Sequence, residues 1–215
     1  MRIDFISDVV CPWCAIGLHS LQQAVDSLGP DVSVDWHFQP FELNPGLGPE
    51  GEGLVEHLAR KYGATPAQLE QTHAMIRERG AAVGFRFSPG RDRIVNTFMA
   101  HRLLHAAGEQ DEAAGTGVQK ALKRALLAAY FTEGRDPSQA AVLRELAATA
   151  GLDAARTEAV ITADAHADEV REAEAQWQAA GIRSVPAIVI DGRHLIQGGQ
   201  PPEVFAQALR QILAG

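Results

Sequence analysis

Cysteine is scarce in this chain: there are two in 215 residues, and they stand together as Cys11-Pro12-Trp13-Cys14. That scarcity excludes a fold stapled by disulfides. A bridge across so short a loop would restrain little of the unfolded chain, so a purely structural pairing fits poorly. Long apolar runs are also missing, and nothing approaches the ~20 residues needed to span a bilayer, which argues against a membrane protein. Asp4 and Asp8 break up the first apolar residues, and no basic segment leads into an apolar core with a small-residue cleavage site. The expectation is a cytoplasmic protein. Basic stripes are absent as well: the net charge is −8 with histidine neutral, and Lys and Arg are scattered among acids. No nucleic-acid surface is expected, and the acidity mainly implies solubility. There is no internal repeat and no low-complexity segment. The length suffices for a full core, either as one large domain or as a domain with an insertion.

The cysteine pair lies where a short apolar strand (Ile3, Phe5, Ile6) gives way to a helix beginning at Pro12. Cys14, Leu18, Leu21, Val25 and Leu28 recur at three- and four-residue steps, forming one core-facing stripe, so Cys14 should point inward. Cys11 lies one turn earlier, where unpaired backbone N–H groups and the positive end of the helix dipole favour a thiolate. It is expected to be exposed, acidic and nucleophilic. Gly29 and Pro30 stop this helix, and Val32, Val34, Trp36 and Phe38 then alternate with polar residues as a half-buried second strand. Strand, helix and strand in this order suit a parallel crossover.

The stretch from Asn44 to Gly53 is rich in Gly and Pro, and helical patterns dominate from there to about residue 180. Thr65-Pro66-Ala67-Gln68 and Asp136-Pro137-Ser138-Gln139 each read as a helix start, with a capping residue and Pro at the first helical position. Further helices are expected over 94–107, 118–130, 153–162 and 165–180. Beyond Gly181 the pattern turns to strands: Ala187 to Ile190 is a continuous apolar run, Asp191-Gly192 is a turn signal, and His194-Leu195-Ile196 can pair back as a hairpin. A final helix follows Gly198-Gly199-Gln200-Pro201-Pro202, with Val204, Phe205, Ala208, Leu209 and Ile212 on its apolar face. This divides the chain into 1–45, a helical insertion over 46–164, and 165–215.

A Cys-x-x-Cys at the first strand-to-helix turn, with Val185-Pro186 directly before the third strand, resembles the thioredoxin superfamily. The insertion between the two halves resembles the DsbA-like elaboration of that α/β fold. Ser7-Asp8-Val9-Val10-Cys11-Pro12-Trp13-Cys14, Asn96 to Leu104, and Gly198-Gly199-Gln200-Pro201 carry a closer likeness to its FrnE-like, mostly cytoplasmic branch. The resemblance implies a cis bond before Pro186 in a loop that faces the dithiol, with the Val185 backbone pairing to an extended substrate segment. Read alone, the sequence does not give the isomer, and an ordinary trans proline opening an edge strand is the lesser alternative.

The resemblance further implies a thiol-disulfide oxidoreductase, with disulfide isomerase activity as an extension. Cys11 would attack a substrate disulfide and Cys14 would resolve the mixed disulfide; Pro12, Trp13, Val185 and Pro186 would meet substrate. The partners would be protein thiols and disulfides or small-molecule thiols, and the protein itself would be a monomer or homodimer. No cofactor is expected beyond the cysteine pair itself, with glutathione as a thiol partner. Trp13 stands where periplasmic DsbA has His and supplies no cation, so the potential is expected below about −120 mV. Trp13 either offers substrate an apolar contact or packs against the insertion. Asp8 reads chiefly as a solvated strand-end carboxylate, with proton relay to Cys14 as the alternative.

Zinc is not expected, because two thiols and distant histidines do not make a four-ligand site. His101 and His105 share a helix face without the H-E-x-x-H pattern and read as partly buried packing residues. The stronger rival is a glutathione-dependent isomerase or transferase resembling hydroxychromene-carboxylate isomerase and kappa-class glutathione transferases. Those proteins usually carry Ser in place of Cys11 and Ser-Asp where this chain has Gly199-Gln200. A non-catalytic chaperone is a third reading, to be separated from the others by whether function survives Cys11→Ser.

Overall fold

In a computed structural model describing residues 1–215, four strands form one sheet in the order β2-β1-β5-β6. They are β1 (Arg2–Ser7), β2 (Asp35–Pro40), β5 (Ala187–Ile190) and β6 (His194–Gln197). β1 runs parallel to β2, with Phe5 opposite Phe38, and antiparallel to β5, with Phe5 opposite Ile188. A two-stranded ribbon, β3 (Glu52–Gly53) and β4 (Arg93–Ile94), lies outside this sheet. The helices are α1 (Pro12–Asp26), α2 (Leu54–Tyr62), α3 (Pro66–Ala82), α4 (Phe98–Ala114), α5 (Val118–Phe131), α6 (Ala140–Ala150), α7 (Ala154–Thr162), α8 (Ala167–Ala179) and α9 (Pro202–Leu213).

Strand periodicity explains how the sheet is covered. Ile3, Phe5, Ile188 and Ile190 face the large apolar cluster, which also takes in α1, α9 and residues of α4 and α5. Ile6, Ala187 and Val189 face the other way, into a small cluster with Ile182 and the partly buried Trp177 of α8. With both faces covered, β5 reads as a continuous apolar run, and β1 is buried along all but its first residue. At ~25 cal/mol per Å2 of buried apolar surface, each large side chain in this cluster contributes about 1.5–3 kcal/mol. α4, α5 and α8 all pack on β2, so helices from the middle of the chain reach the strand beside β1.

Several helix boundaries follow sequence and two do not. Thr65 closes a complete capping box with Gln68, as its pattern predicts. Asp136-Pro137-Ser138 does not begin a helix. The Asp136 carboxylate accepts the Ser138 backbone N–H at 2.8 Å and its hydroxyl at 2.7 Å, a local turn that competes with helix, and α6 starts at Ala140. The helix expected from residue 94 begins at Phe98, because Arg93 and Ile94 pair with Glu52 and Gly53 instead. Asp191 and Gly192 both adopt positive φ (49° and 67°), the conformation an Asp-Gly turn supplies to the β5–β6 hairpin.

Candidate active site

Pro12 occupies the first turn of α1, and Cys11 is its N-cap in an extended conformation. The Cys11 carbonyl accepts the N–H groups of Cys14 (3.1 Å) and Ala15 (3.3 Å), which fixes the pair across the first turn. Both cysteines are free thiols. Cys14 is completely buried, as the helical stripe requires. Cys11 departs from expectation: only 4% of it is exposed. Its Sγ–H points at the Val185 carbonyl, 3.7 Å away, and the residue joins the large apolar cluster, so the loop before β5 covers the sulfur.

That loop is held by close backbone contacts. The Val185–Pro186 peptide is cis. Pro186 packs on Gly17 in the middle of α1, where an added Cβ would sit 3.0 Å from Pro186 Cγ and 3.3 Å from Gly199 Cα. A Cβ on Gly199 would meet the Trp13 carbonyl at 2.9 Å. The Gly198 N–H donates to the Pro186 carbonyl at 2.8 Å, and the Ser20 hydroxyl donates to Gln200 O at 2.5 Å. The Gly198-Gly199-Gln200 segment therefore binds the proline loop to α1, and two glycines give it the clearance. Trp13 is half-buried and packs against the large cluster.

Beneath the thiols lies a buried charged group that sequence reasoning misplaced or missed. Asp8 is not a solvated carboxylate; it is completely buried. The turn after β1 directs it inward, where its Oδ2 accepts the Leu43 N–H at 2.8 Å and its Oδ1 accepts from His101 Nε2 at 3.3 Å. Burial pushes the Asp8 carboxyl up, but His101, the Leu43 amide and Lys123 together outweigh it and hold the pKa below the ordinary value. Lys123 of α5 is also completely buried, and its Nζ has no hydrogen-bond partner. Burial lowers its pKa, while the nearby Cys14, Asp8 and Cys11 pull it back up. Cys14 is pushed well above the ordinary thiol value by burial first and by Cys11 second, with Lys123 opposing both. One sequence signal for Lys123 exists: it falls on the apolar stripe formed by Leu122, Leu126 and Leu127, where a solvated lysine would not be placed.

Residues from three distant segments thus meet: Asp8, Cys11 and Cys14 from the start, His101 and Lys123 from the helical middle, Val185 and Pro186 from the end. Similar arrangements of the whole chain occur in known proteins. A curated relative, the uncharacterized protein YwbO of Bacillus subtilis, is 26% identical over 210 residues, covering 97% of this chain and 96% of its own. The solved structure of a probable DsbA oxidoreductase from Streptomyces coelicolor is 34% identical, with a TM-score of 0.90 over 100% of this chain and 90% of that one. The cytosolic disulfide reductase DsbM from Pseudomonas aeruginosa, solved with GSH, shares the fold at 19% identity and a TM-score of 0.67, covering 100% of both chains. Residues 2–210 match the family described as the DSBA-like thioredoxin domain, and with that match spanning both thiols, the helical middle and the proline loop, the chain belongs to that family.

Proposed function

We propose that this protein is a thiol-disulfide oxidoreductase in which Cys11 is the nucleophile and Cys14 the resolving thiol. The observation that carries the reading is the meeting of Cys11 Sγ with the Val185 carbonyl at the N-terminus of α1. A substrate segment lying along the backbone of Val185 brings its disulfide to that sulfur. The Cys11 thiolate attacks one substrate sulfur, forming a mixed disulfide and releasing the second substrate sulfur as a thiolate that takes up a proton. Cys14 then gives up its proton and attacks Cys11 Sγ. The remaining substrate thiol leaves, two electrons have passed to substrate, and Cys11–Cys14 is the oxidised product. The reverse sequence donates a disulfide.

Because Cys14 sits in apolar surroundings, its deprotonation is the demanding step. Lys123 acts here as a positioning cation that stabilises the Cys14 thiolate without touching substrate. Pro12, Trp13, Val185 and Pro186 form the substrate-facing rim, and the half-buried Trp13 ring supplies an apolar contact. Residues 1–45 and 165–215 form the thioredoxin-like part and 46–164 its insertion, which contributes His101 and Lys123. Small thiols of a reducing cytoplasm, glutathione among them, recycle the pair. The glutathione-isomerase reading is disfavoured at Gly199, where the side chain of the Ser seen in those proteins would meet the Trp13 carbonyl at 2.9 Å.

Equilibration in glutathione redox buffers, acid trapping of thiols and mass measurement tests the proposal. The expected result is a reversible intramolecular disulfide in the wild type and a long-lived mixed disulfide in Cys14→Ser. A pair that stays reduced throughout, or a wild-type glutathione adduct on Cys11 that Cys14 never resolves, overturns it.

A further inference from the structure

On the same helix that lends His101 to Asp8, the next turn carries a second cluster of metal-ligating side chains away from the thiols. His105 and Glu109 of α4 are four residues apart and share a face. His166, the N-cap of α8, closes over them from the loop after α7. The rings of His105 and His166 have centroids 5.0 Å apart. Glu109 Oε1 lies 3.8 Å from His105 Nε2 and 3.7 Å from His166 Nδ1, and one ligand atom from each residue falls within 4.8 Å of the others.

Three features mark this cluster as built. His166 Nδ1 is buried yet has no hydrogen-bond partner. His166 itself holds a left-handed backbone, φ 62°, which is uncommon for a side-chain-bearing residue. The loop that presents it is fixed by Arg102, whose buried guanidinium donates to the carbonyls of Val160 and Ala165 at 2.8 Å each and to that of Ala163. The second oxygen of Glu109 is already held, by Arg156 Nη1 of α7 at 3.0 Å, so Oε1 is the one left facing the imidazoles. Outer partners that orient a ligating carboxylate in this way are usual in metal sites. Glu112 and Glu169 add negative charge nearby.

We propose that His105, Glu109 and His166 form a binding site for one zinc-class divalent transition-metal ion, with a fourth coordination position open to solvent. Two imidazoles and a carboxylate are the donor set this class takes, at bond lengths of ~2.0–2.2 Å and in tetrahedral geometry. Such bonds place ligand atoms about 3.3 Å apart. Both Glu109 distances are already near that value, and rotation of the two half-buried rings closes the rest. The bound ion would clamp the start of α8 to α4.

Thiolates are zinc ligands in their own right, so the test uses the full chain carrying Cys11→Ser and Cys14→Ser to keep them from competing. Co2+ is titrated while its visible absorption is followed, and Zn2+ is then added to displace it. One equivalent of each is expected, without a thiolate charge-transfer band. His105→Gln, Glu109→Gln and His166→Gln should each weaken affinity by more than the roughly 10–100-fold that a lost outer partner costs. The melting temperature should rise with free Zn2+ in the parent and not in these variants. As a check that needs no variant, Zn2+ should shield His105 and His166, but not the exposed His194, from diethyl pyrocarbonate. Failure to bind one equivalent, binding that survives His105→Gln and His166→Gln, or equal modification of all three histidines with and without Zn2+ overturns the proposal.

Discussion

Lys123→Met separates the chemistry of the dithiol from its packing, because the lysine is buried, without a hydrogen-bond partner and close in charge to Cys14. An opposite charge at close range shifts a neighbouring pKa by ~1–3 units in general, and Lys123 is the charge that opposes burial and Cys11 at the Cys14 thiol, so removing it raises the already elevated Cys14 pKa further. Each unit cuts the thiolate fraction tenfold, while the more basic thiolate recovers part of the loss through a Brønsted coefficient of ~0.4–0.5. The net expectation is a resolving step about 3- to 60-fold slower. Stability should move the opposite way. Asp8 keeps its bonds from His101 and Leu43, whereas an unsatisfied buried ammonium that costs roughly 1–3 kcal/mol disappears. For a chain of this size that gain corresponds to about 2–12 °C in melting temperature. Rapid mixing of reduced protein with glutathione disulfide, followed by acid quench and mass analysis, should show the mixed disulfide accumulating in the variant and only transiently in the wild type. Unchanged resolution, or a variant that loses stability along with rate, refutes the role given to Lys123.

The resolving step should accelerate with pH without reaching a plateau below pH ~8.5, the ordinary thiol pKa, since Cys14 is raised above it; a plateau at neutral pH in single-turnover traces would contradict this. Asp8 is held below its ordinary pKa, so its stabilisation is present above pH ~3.9 and lost as pH falls through the lower folded value. Asp8→Asn should therefore flatten the acid limb of the stability curve while costing about 3–5 kcal/mol at pH 7, since the buried Lys123 loses its counter-charge; urea titrations between pH 2 and 7 measure both. Gly199→Ala should cost roughly 1–3 kcal/mol by forcing the Gly198–Gln200 segment away from Trp13. It should also slow attack by Cys11 on glutathione disulfide, and a variant with wild-type melting and rate would show that the contact is unimportant.

The strands of the main sheet, the burial of Cys14 and the start of α3 were legible because each depends on residues close together in the chain, whereas the β3–β4 ribbon, which pairs residues some forty apart, was not. Asp136-Pro137-Ser138 misled because a side chain satisfied the backbone locally, a competition that capping patterns do not encode. Asp8 and Lys123 show a different limit. Composition predicts that an isolated carboxylate or ammonium prefers water, and only the packing of α4 and α5 on β2, with His101 of α4 reaching Asp8, makes a buried arrangement available. The covering of Cys11 by Val185 likewise depends on a contact spanning 174 residues. His166 was invisible as a partner for His105 because the loop that delivers it is fixed by Arg102 and not by any local motif.

The order in which the chain leaves the ribosome gives the assembled site one more consequence. Both thiols emerge well before His101, Lys123 and Val185. Until those segments dock, Cys11 has no loop over it, and Cys14 has neither its apolar surroundings nor its cation. The nascent pair therefore reacts as ordinary peptide thiols, open to any passing oxidant or alkylating agent. The contrast makes the rate of thiol labelling during synthesis a direct clock for when the C-terminal segment closes on the N-terminal one.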